Sequence, residues 1–279
     1  MSARTHLGPL AFLAVVLVMS SCSSTPAAPY ELHHEFRRLF AAEGSEGAFV
    51  ADHIGSDSPP IAYNIERART PMPPAETFRP LATLILVESD TVSSLDEPLT
   101  WNREGKFVQD WHREHSLRTA IATDAEWLYE QTADKIGEDP YEVWINRVGY
   151  GNANVRGSRG SFWMDGTLLI DTFGQVEFFA QLASGTSPFN PVAVREVIES
   201  LPQQAGEGWT LSYQQGRVPG TGTEDRIGWL VGILDTGDDM WALGMHMDVG
   251  WDRTIDPDKR LRLATALLAE VGIISGDGG

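Results

Sequence analysis

The sequence predicts an α+β fold, an antiparallel sheet built from both ends of the chain and flanked by terminal helices, with a helical lobe inserted between the two halves. Three observations carry this. Two short strand-like runs, "GAFVADHI" and "PPIAYNI", lie near the N-terminus; helical spacing takes over from Glu76 to about Leu201; and three apolar or alternating runs followed by one amphipathic segment close the chain.

The first residues read as an export signal. Arg4 and His6 precede the apolar run "LAFLAVVLVM", which is short for a bilayer span, and small residues follow it. The chain's only cysteine, Cys22, stands directly after that run in "MSSC", which resembles a bacterial lipoprotein box, where such a cysteine is acylated and becomes the mature N-terminus. An ordinary cleaved signal with an incidental cysteine is the alternative. The expected organisation is a signal peptide over 1–21, a linker over 22–31 containing "SSTPAAP", and one domain over 32–276.

Within that domain, a polar turn at Ser56 to Ser58 joins the first two strands as a hairpin. "AEWLYEQTADKIG" places Trp127, Leu128 and Ile136 at helical spacings and ends on Gly137. "WTLSYQQGR", "GWLVGILDT" and "MWALGMHMDV" are strands, and "TGDD" is the tight turn between the last two. The last helix, "PDKRLRLATALLAEVG", has Pro257 in its first turn and closes at Gly272.

A net charge of −18 excludes phosphate-backbone binding, which needs clustered Lys and Arg, so no nucleic-acid partner is expected. With one cysteine there is no intramolecular disulfide. The adjacent His33 and His34 open a probable helix, where neighbours diverge, and His112, His115 and His246 have no ligand-spaced partners. No metal or cofactor is expected.

Seven segments, met in order, then resemble the class D, oxacillinase-type serine beta-lactamases of the penicillin-recognising fold. "ETFRPLATLILVES" looks like the nucleophile helix and "TWNREGKFVQDWHREHSLRTAI" like the stretch after it. "INRVGYGNANV" holds a Tyr-Gly-Asn signature at Tyr150, Gly151 and Asn152, and "GSFWMDGTLLIDTFGQVEFFAQL" brings the pocket tryptophan, Trp163. "GWLVGILD", "MHMDV" and "AEVGIISG" resemble the closing strands and helix. The resemblance implies a beta-lactamase/transpeptidase-like architecture.

The same resemblance implies that the chemistry is missing. The family's Ser-x-x-Lys falls on Glu76 and Arg79, its Ser-x-Val on Asp124, Ala125 and Glu126, and its Lys-Thr-Gly on Gln214, Gln215 and Gly216. A carboxylate is a poor nucleophile toward an amide and would give a mixed anhydride. The family lysine acts as an N-carboxylated base, which needs a neutral amine that arginine cannot supply. Only Gly216 survives of the third motif, where it would let a ligand approach the strand. Arg260 aligns with an arginine that holds the substrate carboxylate in many members. Sliding the first motif by one position puts Ala75 or Thr77 at the nucleophile, and Thr77 with Pro80 as base is chemically empty.

Several readings of these residues compete. Glu76 is either a first-turn acid favoured by the helix dipole or a ligand contact. Arg79 is expected to pair with Asp124 or Glu126, although the three acids suit a hard cation in kind. Tyr150, Asn152 and Trp163 serve packing or binding. At the level of function, a membrane-tethered, non-hydrolytic lipoprotein that binds an envelope protein or a small ligand leads. A still-active beta-lactam-binding or hydrolysing enzyme is the first alternative, and a carboxylate hydrolase using Glu76 with Asp124 or Glu126 is the second.

Overall fold

The computed structural model describes residues 29–101, 108–158, 160–218, 226–250, 256 and 258–275. Cys22, the signal and most of the linker fall outside the described residues, as does Pro257.

The described residues open with a short strand β1 (Glu31–Leu32), helix α1 (Phe36–Ala42) and the strands β2 (Gly47–His53) and β3 (Ile61–Tyr63). The one-turn helix α2 (Ile65–Ala68) and a 3-10 turn (Ala75–Phe78) lead into α3 (Arg79–Glu88). The lobe continues with α4 (Leu117–Thr123), α5 (Glu126–Ile136), α6 (Glu138–Val148), α7 (Thr172–Ser184) and α8 (Pro191–Ser200). Strands β4 (Gln203–Gly206), β5 (Trp209–Val218), β6 (Arg226–Asp235) and β7 (Met240–Val249) follow, and α9 (Lys259–Glu270) closes the fold.

These strands form one seven-stranded sheet in the order β1-β3-β2-β7-β6-β5-β4. The expected union of both chain ends is the antiparallel pairing of β2 with β7, with Phe49 opposite Met245. The sheet departs from a purely antiparallel one at its margin, where β1 runs parallel to β3. β1, β4 and α2 have no counterpart in the sequence reading, because two to four residues give no usable periodicity. The histidines placed at a helix start lie just before it: α1 opens at Phe36, and His33 stacks on that ring at 5.1 Å.

Side-chain alternation along β6 builds two cores. Trp229, Val231 and Ile233 join the helical-lobe side, while Leu230 and Leu234 face α1 and α9. That double burial explains why the strand reads as a nearly continuous apolar run. Gly237 in the β6–β7 turn has φ +84°, the backbone that "TGDD" anticipates.

Helix α3 is the axis of the lobe, with eight of its residues buried from Arg79 to Leu86 and with α4, α5, α6 and α8 packed against it. Replacing Leu84 by Ala should cost about 2–5 kcal/mol by cavity formation. Denaturant titration should show that loss in the midpoint without a change of slope.

Candidate functional site

The positions that resemble catalytic motifs converge where the 3-10 turn meets β5. Gly216 makes that meeting possible, since a Cβ there would lie 3.0 Å from Thr77 N and 3.1 Å from Pro74 O. The close approach foreseen for a ligand is made by the chain's own turn. Ala75 enters the turn with φ +52°, a left-handed conformation that is strained for a side-chain-bearing residue.

Hydrogen bonds hold the turn from all sides. Ala75 N donates to Trp163 O at 2.9 Å, and Trp229 Nε1 donates to Pro73 O at 3.0 Å. Thr77 Oγ1 donates to Pro74 O at 2.6 Å and accepts from Gln175 Nε2 at 2.7 Å, and Gln175 Oε1 accepts from the Tyr150 hydroxyl at 3.1 Å. Thr77 is therefore fully committed, and a nucleophile shifted by one position has no hydroxyl to use. Burial pushes the Tyr150 phenol up, with Thr77 and Gln175 acting the other way.

The remaining signature residues are part of the same frame. Gly151, at φ +59°, lies so close to the Leu169 carbonyl that a Cβ would collide with it. Asn152 bridges two segments, donating from Nδ2 to Thr167 O at 3.0 Å and accepting from Leu169 N at 3.0 Å. Trp163 stacks on Phe78 with ring centroids 5.4 Å apart.

Glu76 points its carboxylate across the gap to β5, where Oε2 accepts from the main-chain N–H of Arg217 at 2.6 Å. A strand N–H aimed at the head of the turn is the kind of donor that stabilises a developing oxyanion. Here the chain fills it with its own carboxylate. Arg79, only 4% exposed, donates through Nη1 to Asp124, whose side chain is 53% exposed, and its guanidinium lies 5.5 Å from the Tyr129 ring centroid. Of the two acids considered as its partner, it is Asp124 that pairs with it.

Gln214, 1% exposed, donates through Nε2 to the same Asp124 Oδ1 at 2.9 Å and to Gln215 O at 3.1 Å. Glu126 sits half-buried in the first turn of α5, and Tyr129 behind it is raised to about 12 by burial. Among the described residues, no group of three or more His, Cys, Asp or Glu side chains is placed to hold a metal. Arg260 is turned to the main chain, with Nη1 donating to Gly216 O at 2.5 Å and to Trp229 O at 3.2 Å, and burial lowers it to about 10. Gln175 and Arg217 belong to the site without having been singled out from the sequence. Arg217 directly follows the Lys-Thr-Gly position, which is the one signal that could have found it.

Comparison with known proteins agrees with this fold. A family model described as the penicillin binding protein transpeptidase domain matches residues 32–254. The beta-lactamase OXA-5 of Pseudomonas aeruginosa is 29% identical over 243 residues, covering 86% of this chain and 90% of that protein. The probable beta-lactamase YbxI of Bacillus subtilis strain 168 is 26% identical over 226 residues, covering 80% and 83%. Among solved structures, the class D beta-lactamase FUS-1 (OXA-85) of Fusobacterium nucleatum subsp. polymorphum superposes with a TM-score of 0.80 at 24% identity, covering 86% of this chain and 98% of that one. The C-terminal domain of the Bacillus licheniformis BlaR penicillin-receptor gives 0.79 at 22% identity, covering 88% and 97%.

Two outcomes are expected from this packing. Asp124→Ala should destabilise the fold by several kcal/mol, on the order of 3, because it strands a buried guanidinium, whereas Arg79→Met should cost less because Asp124 can be solvated. Gly216→Ala should cost about 1–3 kcal/mol by pushing β5 off the turn. Chemical denaturation of the three variants checks both.

Proposed function

Since this chain belongs to the penicillin-binding transpeptidase domain family, within its class D serine beta-lactamase-like group, we propose that it is a non-hydrolytic member that acts by binding. On this reading it is exported and held at a bacterial membrane by a lipid on Cys22. The observation that carries the proposal is Glu76 at the nucleophile position, with its carboxylate hydrogen-bonded to the Arg217 main-chain N–H at 2.6 Å.

The chemistry follows from what each group cannot do. Acyl transfer needs a nucleophile whose ester water can cleave, and Glu76 offers only a carboxylate already engaged by a donor. It needs a base, and at that position stands an arginine, which has no acceptor atom and is paired with Asp124. It needs an open donor for the oxyanion, and the Arg217 N–H is taken. A substrate carboxylate entering beside Glu76 or Asp124 would meet a like charge, a penalty of roughly 1–4 kcal/mol at 4 Å depending on the local dielectric. A beta-lactamase-like fold does not by itself imply turnover, and the BlaR domain that shares it is described as part of a receptor.

Intact-mass spectrometry of the protein after incubation with a penicillin and a carbapenem tests the reading. The unmodified mass is expected, and an adduct of the antibiotic's mass would overturn the proposal. A thermal-shift measurement on the same samples then separates a small-molecule binder, whose melting temperature rises with ligand, from a protein that engages an envelope partner, whose melting temperature does not.

A further inference from the structure

We propose that His246 is an acid-sensitive latch: protonation of its ring frees α2 and the start of α7 from strand β7 and, through them, loosens the turn that carries Glu76. His246 is fully buried on the lobe side of β7, on the same face as Ala242. From α2, Arg67 donates through Nε to His246 Nε2 at 3.2 Å. An arginine N–H can only donate, so this ring nitrogen is held unprotonated. The neutral imidazole then carries its proton on Nδ1, which donates to Thr172 Oγ1 at 3.1 Å. Thr172 opens α7, and Gly244 lets that helix lie on the strand, since a Cβ there would come 3.1 Å from Val176 Cγ2 and 3.3 Å from Thr172 Cγ2. Two routes lead from the imidazole to the turn. Trp229 meets the ring edge-on at 5.0 Å and donates through Nε1 to Pro73 O, and Gln175, one turn beyond Thr172, donates to Thr77 Oγ1.

A second proton on this ring would set one N–H against the Arg67 N–H and place a positive charge beside the guanidinium. Burial first, and the Arg67 charge second, hold the imidazole down to about 3 from its ordinary 6.5. Arg67 is itself anchored by Asp248, two residues along β7, so it does not turn aside freely. The other charged groups on the elements around the ring are Glu66 on α2 and Arg69 at its end, the exposed Glu46 before β2, and Asp52 on β2 opposite Ala242. On α7 they are Asp171 at the N-cap, paired with Arg69, and Glu177, and on β6 the distant Asp235. Among the described residues, burial and Arg67 are what act on the ring. A ring released by local opening titrates at the ordinary value. The open form therefore takes up a proton as pH falls below 6.5, the closed form only near 3, and the closed form is disfavoured progressively across that window. Between pH 7 and pH 5 this linkage raises the opening constant roughly 25-fold. The latch does not depend on the cleft being catalytically silent.

Hydrogen exchange of the full chain, read by mass spectrometry at pH 7 and pH 5 and corrected for the intrinsic pH dependence of exchange, tests it. Peptides covering the Ala75–Phe78 turn and the first turns of α7 should lose about 25-fold in protection at pH 5, while a peptide from α5 keeps its own. His246→Gln, which can meet the same two partners without a titrating ring, should show no such loss. No loss in the wild type, an equal loss in α5, or an undiminished loss in the glutamine variant overturns the latch. Should that variant fail to fold, long-range nitrogen–proton correlation spectra of the wild type carry the test. The His246 ring should be neutral at pH 5 with its proton on Nδ1, and a ring already charged at pH 6 in the folded protein overturns the proposal.

Discussion

The contact between the Ala75–Phe78 turn and strand β5 organises everything around it. Gly216 admits the turn to within van der Waals reach of the strand, and the buried chain from Tyr150 through Gln175 to Thr77 and Pro74 holds it there. Because the turn opens α3, the same contact sets the depth at which the central helix enters the lobe, and so the placement of Arg79 beneath Asp124. The Tyr-Gly-Asn signature is intelligible on this basis alone. Tyr150 braces the turn, Gly151 clears the Leu169 carbonyl, and Asn152 ties the segment to Thr167 and Leu169. None of those roles needs a substrate.

On the proposed reading, a set of internally paired charges stands where the family's catalytic groups would be. Glu76 supplies the carboxylate that the Arg217 N–H would otherwise leave unmet, and Arg79 and Gln214 converge on one oxygen of Asp124. Each substitution looks destructive when taken singly. Together they form a network in which most polar groups have partners, and polar networks are stable when complete. The arginine is the buried member and the aspartate the wet one, so the pair keeps one carboxylate in contact with solvent.

Much of the architecture was legible because long elements announce themselves. β5, β6, β7 and α9 each run for ten or more residues with clear alternation or helical spacing, and turns such as "TGDD" mark their ends. The short pieces were not legible: β1 and β4 are defined by pairing partners far along the chain, which no local pattern encodes. At the site, motif spacing located Glu76, Arg79, Asp124 and Gln214, yet it left open which acid meets Arg79. Asp124 sits on a left-handed backbone, φ +55°, and its side chain is the one that meets Arg79, a geometry that motif spacing does not encode. Gln175 and Arg217 escaped notice because their importance comes from which hydrogen bonds they make or lack, and a sequence does not state that.

On the proposed reading, Glu76 and Arg79 leave this cleft without a nucleophile and without a base. The most direct test of that reading is steady-state turnover of a chromogenic cephalosporin by the wild-type chain beside Glu76→Ala. Both are expected to give the background rate of the buffer. Turnover by the wild type that disappears in Glu76→Ala would contradict it, and would make the carboxylate a working catalytic group.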